Sequence, residues 1–571
     1  MKKEPQQPSG LGKRILDRYE ALKKLRAPWE SLWQDIAKYV VPRRAPGLAG
    51  TEPGTPSTKE ADVLFDTTAV QSNMTLANGQ LAWMSPLESP WFSFDPETAD
   101  DEAKTFLAKA TKTSRDELAV SSFYTAVHEF YLDRGAFGTA CLYVEPGKKR
   151  AISAKVWPVG SFVMDEDDEG NVDTVMRCFK LTARQAVQKF GEERVSGKIL
   201  ERLKKGGAAE HERVEFIHAI YPREDAERDK AKLDAANMPI ASVYLEKEGG
   251  HVCRVSGYEE MPVFVSRYLE WGSATGWLYG WAPGFAALPE CRQLNFLQEM
   301  MDALAEKMAF PPVLAPEELE GEIDPNAMGV TYFSKELIQA NSMPKEWMTQ
   351  GRYDIGLERI RERQKAIREA FHVDLFQMFA QLTKQMTARE VAERSQEKLI
   401  QFSPTFSRLT TELFNPLLER LFGILLRAGK LGRPPKSLVQ PIDETRALVP
   451  MPKVRYSSRI ALTLAALPSL GYQRTLERLA VTSQLSPGVL DLVDFDKAER
   501  AAAIADGVDP DVIRPAADVE AMRQARAEAQ AQAQQMEQAA AAADAAAKVG
   551  RIPGDSPVGQ RLGAAMEEAG A

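Results

Sequence analysis

The sequence predicts an α+β protein, and three features of it lead there. Helical periodicity runs through the first part of the chain, short alternating segments bounded by turn residues fill 140–270, and long helical segments return after "GWLYGWAPG". Helices ahead of an antiparallel run of strands, without strand–helix alternation, is the α+β pattern.

In chain order, "LGKRILDRYEALKKLRAPWESLWQDIAKYVVP" reads as a helix. Its apolar face is Ile15, Tyr19, Leu22, Trp29, Leu32 and Ile36, and Pro42 ends it. "APGLAGTEPGTPST" is a loop. "DTTAVQSNMTLANGQLAWMSP" and "DEAKTFLAKATKTSRDELAVS" read as two more helices, and "SFYTAVHEFYLDRGAFG" as a fourth that stops at glycine. The strand block contains two hairpins, turning at "DEDDEGN" and "EKEGG". A short helix, "TARQAVQKFG", interrupts it, with Thr182 and Gln185 spaced as a capping box.

A long helix follows, in which Leu294, Leu297, Met301, Leu304 and Met308 repeat at 3-4-3-4 spacing, the seam of a helix packed on other helices. "PPVLAP" stops it. After a mixed segment with the acidic stretch "EELEGEID", a second helix of similar reach begins at "DIGLERIRERQKAIREAF". An apolar insert, "HVDLFQMFAQLTKQM", comes next; read alone it fits either buried core or an apolar loop. Thr387 and Glu390 make another capping box opening "REVAERSQEKLIQFSPTFSRLTTELFNPLLERLFGILLRAG", which Pro404 and Pro416 must kink or divide. The chain closes with an alanine- and glutamine-rich helix and a tail from Gly550. An almost all-alanine face is stable only when it packs on neighbours or copies.

Composition bounds the function. The net charge is −9 over 571 residues, which argues against a surface that clamps nucleic acid through clustered cations, but not against one that guides or passes it. No apolar run reaches the ~18–20 residues of a membrane helix, and no secretory signal is visible, so no membrane partner is expected. Cys141, Cys178, Cys253 and Cys291 lie far apart, as expected of isolated reduced thiols in a cytosolic compartment.

The sequence carries no catalytic, cofactor-binding or metal-binding constellation. There is no phosphate loop, no HExxH and no GxSxG. "DEDDEGNVDTVM" resembles an EF-hand loop in its first six positions, but Met176 stands where the bidentate glutamate belongs, so a solvated hairpin turn is expected. His251 and Cys253 read as an ordinary strand pair rather than metal ligands. The shape features that remain suit an assembly better than an enzyme.

Five segments in order carry a resemblance: "WESLWQDIAKYVVPRR", "LFDTTAVQSNMTLANGQLAWMSPLESPWFSFDP", "SSFYTAVHEFYLDRGAFGTACLYVE", "YGWAPGFAALPECRQLN" and, most specific, "MTAREVAERSQEKLIQFSPTFSRLTTELFNPLLERLFGILLRAG". From about residue 12 to 500 the chain resembles the portal (head-to-tail connector) proteins of short-tailed bacteriophages. The resemblance implies a twelve-subunit ring at one capsid vertex, a channel for double-stranded DNA in packaging and ejection, and no ATP site of its own. It implies wing segments at 1–284 and 387–490, stem helices at 285–310 and 354–372, and a clip at 311–353. A channel loop at 373–386, a crown or barrel at 491–549 and a flexible tail at 550–571 complete it.

The partners so implied are the terminase large subunit and then tail adaptor or tube proteins at the clip, with Glu317, Glu318, Glu320 and Glu322 as contacts. The major capsid protein, scaffold and internal core proteins complete the set. The location is the virion's head–tail junction, reached through the host cytoplasm. In the channel loop, Phe376, Met378 and Phe379 are placed between subunits near the lumen, with Gln381, Lys384 and Gln385 facing DNA. Arg359, Arg361, Arg363, Lys365 and Arg368 on the second stem helix alternate with acids, as salt-bridge partners within or between subunits or as contacts to phosphates in the lumen. A twelve-fold ring would carry roughly −108 formal charges, twelve times −9, which suits a conduit that must let DNA slide. The alternatives are a tail or scaffold ring that never contacts DNA, and a DNA-processing enzyme subunit.

Overall fold

The computed structural model describes residues 10–48, 64–95, 100–147, 149–229, 232, 234–272, 277–309, 313–314, 345–346, 353–381, 403–443 and 446–458. Of the remainder it describes 461, 475, 478–479, 481–482, 488, 492–505, 514, 516–549 and 561. Residues 1–464 and 465–571 are two compact units.

The first unit opens with α1 (Leu11–Val40), which stops where Val41 leaves helical geometry ahead of Pro42. Its buried face differs from the expected one at a single turn. Leu32 is exposed and Trp33 is fully buried, because the stripe advances through Trp29, Trp33, Ile36 and Val40. Trp33 meets Tyr279 edge-on at 5.0 Å and Trp29 meets Trp271 at 4.9 Å, an aromatic cluster that ties the chain's start to the strand block's end. α2 (Thr68–Met84), β1 (Phe92–Asp95), α3 (Asp101–Val120) and α4 (Phe123–Phe137) follow. α4 ends as expected at glycine: Gly138 has φ 74, and a Cβ there would lie 2.1 Å from the Gly280 carbonyl oxygen, so only glycine fits.

Two antiparallel sheets come next. β2 (Thr139–Pro146), β3 (Ile152–Trp157) and β9 (Val263–Arg267) pair in the order β3-β2-β9. β4 (Phe162–Glu166), β5 (Val172–Thr182), β6 (Arg213–Pro222), β7 (Ile240–Glu246) and β8 (Val252–Tyr258) form a five-stranded meander. At the acidic β4–β5 turn Asp167 spends its carboxylate on the backbone, accepting from Asn171 N at 2.7 Å and Glu169 N at 3.0 Å. The capping box at Thr182 has both bonds and opens α5 (Ala183–Phe190), followed by α6 (Gly197–Lys205). One face of the meander buries Met176, Ile217 and Val243 under Ile15, Tyr19 and Leu22 of α1. The other buries Phe216 and Val214 under Ala186, Phe190 and Ile199 of α5 and α6. His251 and Cys253 part company: the His251 ring approaches the Arg194 carbonyl at 3.2 Å, while the buried Cys253 thiol points at Glu246.

β10 (Leu269–Glu270) pairs with β11 (Gly280–Trp281), and helix α7 (Pro283–Ala309) then packs along α8 (Tyr353–Ala370). Between them β12 (Val313–Leu314) pairs antiparallel with β13 (Lys345–Glu346), so the chain leaves and returns at adjacent points. After α8, His372 adopts φ 53, a left-handed conformation unusual for a residue with a Cβ. The turn starts a new helix, α9 (Val373–Gln381). The chain resumes at 403 in a helix that widens into a π turn over Thr410–Phe414 before α10 (Asn415–Arg427). Pro416 divides this helix as expected, and the physical form of the division is the π turn: Asn415 N bonds back to the Thr410 carbonyl where a proline can donate nothing. β14 (Gln440–Asp443) and β15 (Arg446–Leu448) make a hairpin, and β16 (Lys453–Tyr456) pairs with β1, Phe92 opposite Tyr456.

The second unit contains α11 (Phe495–Ala505) and α12 (Ala516–Val549). Arg523 clasps Asp496 with two bonds, at 2.5 and 2.9 Å. From Asp518 to Ala541 nearly every side chain of α12 faces solvent, with Met522 and Met536 among them.

Candidate functional site

The α7–α8 pair is built on the predicted seam, but the seam is graded. Leu294 and Met301 are buried, Leu297 and Leu304 are half-covered, and Met308 is half-exposed. Gly356 of α8 lets the helices close, since a Cβ there would lie 2.2 Å from the Met301 sulfur. Beside the seam, Phe296 is 60% and Met300 53% exposed, and Ile355 on α8 is 42% exposed. Phe296, Met300, Leu304 and Met308 follow one another at four-residue steps, so they are one apolar strip running along α7. Sequence reasoning passed over Phe296 and Met300, although the four-residue step to Leu304 and Met308 was there to be read.

The cations of α8 divide. Arg363 reaches across to Glu290 of α7 at 2.6 Å, and Lys365 lies 3.8 Å from Glu369 one turn on. Arg359, Arg361 and Arg368 are exposed and meet no acid among the described residues. Arg363 is therefore a packing cation of this chain, while three of the five are free to meet something outside it.

The apolar insert after α8 is not a loop over its first half. Residues 373–381 are helical, and Phe376 is only 5% exposed, its ring seated where Gly79 of α2 has no side chain. Phe371, Val373 and Leu375 are buried with it. Where the resemblance places Phe376 between subunits near the lumen, in the single subunit a glycine on α2 opens a socket that this aromatic side chain of α9 fills. Met378, Phe379 and Gln381 continue α9, whereas Lys384, Gln385 and the capping pair Thr387 and Glu390 lie outside the described residues. So do Glu317, Glu318, Glu320 and Glu322.

Behind these helices stands a set of buried arginines. Arg134, fully buried, donates to Ser266 Oγ at 3.2 Å, the Arg267 carbonyl at 3.1 Å and the Thr405 carbonyl at 3.2 Å; burial lowers it to about 10. Glu412, in the π turn, accepts from the Arg267 backbone at 2.7 Å and its guanidinium at 3.0 and 3.1 Å, and from Arg408 at 3.2 Å. Arg267 also bonds Glu166 and the Gly170 carbonyl, which joins the π turn to the acidic hairpin. Arg420 of α10 donates to the Val144 and Glu260 carbonyls and pairs with the Glu260 carboxylate at 3.1 Å. These charges fix backbone positions; each is spent on a carbonyl or carboxylate of the same chain. Among the described residues no group of His, Cys, Asp and Glu could hold a metal ion, and no helix is long and apolar enough to cross a membrane.

An α+β body, a packed helical pair with an exposed apolar strip along it, and buried arginines spent on the chain's own backbone suit a protein of assemblies. The sequence matches the bacteriophage head to tail connecting protein family over residues 12–513, and the chain belongs to that family. It is 31% identical over 555 residues to the probable portal protein of Bordetella phage BPP-1, covering 95% of each chain. It is 29% identical over 523 residues to the portal protein of Salmonella phage epsilon15, covering 90% of this chain and 91% of that one.

Proposed function

We propose that this chain is the portal protein of a phage: a ring of twelve copies at one capsid vertex, through which double-stranded DNA enters and leaves. The ring holds the major capsid protein at its rim, with scaffold and internal core proteins during assembly. It docks the terminase large subunit first and tail adaptors afterwards. It performs no catalysis and needs no cofactor, and it resides in the virion after assembling in the host cytoplasm. In this reading α7 and α8 are the stem, 311–353 the clip, residues 1–284 and 387–490 the wing, and the second unit carries the crown.

The observation that carries the reading is the exposed apolar strip along α7, beside the seam that packs it on α8. A helical pair with an exposed apolar edge buries it when copies stand side by side around an axis. Because Phe376 is held in the core, the DNA-facing part of the channel loop narrows to 382–386, with Thr383, Lys384 and Gln385 as its polar residues. The test is particle shape: electron microscopy of the purified protein should show closed rings near twelve subunits. A stable monomer under all conditions overturns the proposal. Lys384→Ala with Gln385→Ala should alter packaging or retention of DNA while rings still form. Deleting Pro316–Asp324 should abolish docking of terminase and adaptors.

A further inference from the structure

The start of the chain and the end of the strand block meet in an aromatic cluster that opens onto the surface. Trp271 and Trp277 lie between β10 and β11 in the chain, and their rings stack with centroids 5.8 Å apart and planes 6° apart. Trp29 of α1 stands edge-on to both, at 4.9 and 6.0 Å, and to Phe285 of α7 at 6.3 Å. Phe285 meets Trp271 at 5.4 Å, so four rings from three distant segments hold one another. Trp29 is buried among them, whereas Trp277 is 46% exposed. Among the described residues Trp277 is the one tryptophan with an exposed side chain.

Exposed apolar surface spreads from this cluster along two helices. On α1, Leu25 and Leu32 stand four residues before and three after Trp29, so both lie on its side of the helix, and both are exposed. On α7, Phe285 precedes Phe296 by eleven residues, about three turns, so the cluster runs into the strip of Phe296 and Met300. The two helices lie alongside here, with the Arg292 guanidinium of α7 on the Asp35 carboxylate of α1 at 2.6 Å. The charges between them are thus spent on each other.

Area decides how far a contact between copies must reach. Four half-exposed side chains on α7, at roughly 100 Å² each, present on the order of 400 Å². A standard stable interface takes about 800 Å² from each partner. The strip alone is too small, and its continuation at the Phe285 end is the surface around Trp277. Tryptophan is a frequent anchor of such contacts, because one rigid ring covers a large area at little entropic cost. We propose that Trp277, Leu25 and Leu32 seat a second copy of this chain, extending the α7 contact onto α1 and the β10–β11 connection. This seat rests on the ring reading and lies beyond the helical pair that carries it. A closed ring of more than two copies uses heterologous contacts, so the seat meets a different surface of its neighbour.

The test separates single subunits from rings of the full chain by sedimentation and exposes both to hydroxyl radicals, with mass spectrometry as the readout. Trp277 should oxidise several-fold more slowly in the ring, because the contact covers its exposed ring. An equal rate in both fractions overturns the proposal and leaves the ring reading standing. A parent that never assembles overturns the ring reading and the seat with it. Protection of Trp277 that appears in whole particles but not in the purified ring assigns the surface to another protein, and that too overturns the proposal. Trp277→Ser, and Leu25→Ser with Leu32→Ser, should each raise the concentration at which rings form about tenfold or more. The leucine variant should keep the parent's unfolding midpoint in the separated subunit, since both side chains are exposed; a role within the subunit alone predicts a lower midpoint and unchanged assembly. Should Trp277→Ser fail to fold, the leucine variant decides, and rings forming at the parent's concentration refute the seat.

Discussion

Gly79 and Phe376 offer a direct measurement of where the apolar segment after α8 goes. In Gly79→Ala the new Cβ would stand 2.2, 2.4 and 2.6 Å from three atoms of the Phe376 ring, so the ring must leave its socket. Two terms oppose. Alanine in the interior of α2 favours the helix by about 1 kcal/mol. Expelling a buried Phe ring loses about 2–3 kcal/mol of burial, so net destabilisation of about 1–2 kcal/mol is expected. The second step removes the ring. In a Phe376→Ala background, itself about 3–5 kcal/mol less stable, Gly79→Ala should become neutral or stabilising by up to about 1 kcal/mol. Urea unfolding followed by tryptophan fluorescence, at one protein concentration, gives all four corners of the cycle. If Gly79→Ala leaves the parent's midpoint unchanged or raises it, Phe376 does not occupy the socket and the segment is free to line a channel.

Four further outcomes follow from the same geometry. Burial pushes His218 well below its ordinary 6.5, so below that pH the unfolded chain binds a proton the native chain does not. Stability should therefore fall as pH drops through about 6, by up to about 1.4 kcal/mol per pH unit from this group, and His218→Asn should flatten that acid slope. Glu260→Gln leaves Arg420 buried without its counter-charge and should cost about 3–5 kcal/mol, whereas Arg420→Met with Glu260→Gln should recover much of that loss in denaturant midpoint. Gly138→Ala combines a left-handed backbone with a clash on the Gly280 carbonyl and should lower the unfolding midpoint by more than 1–2 kcal/mol, roughly. Phe296→Ser with Met300→Ser removes exposed apolar surface, so light scattering should show fewer or less stable rings with little change in the secondary structure of the subunit.

Local chemistry was legible in the sequence wherever a few neighbouring residues settle it. The capping box at Thr182, the stop at Gly138 and the hairpins at the acidic and glycine turns need only two to five residues, and they are in place. The seam of α7 was legible too, because a 3-4 repeat is a property of one helix. The α+β class followed from the order of the periodicities, and the family from segments spread along the whole chain.

Tertiary structure decided what periodicity leaves degenerate. Leu32 and Trp33 are neighbours that could both extend the stripe of α1, and the choice fell to Trp33 because Tyr279, more than two hundred residues away, offers it an edge-on partner. Phe376 could have been core or lumen; a missing side chain at Gly79 on another helix made it core. Pro416 announced a break but not its form, which came from the π turn and from Glu412 anchored on Arg267. The apolar surface around Trp277 was invisible for the same reason, since α1, α7 and the β10–β11 connection meet only in the folded chain. Sequence by itself determined the fold class, the element ends that local caps and turns set, and the family. Which faces meet, and so which charges are spent and which are left over, rested on contacts between distant segments that no local pattern encodes.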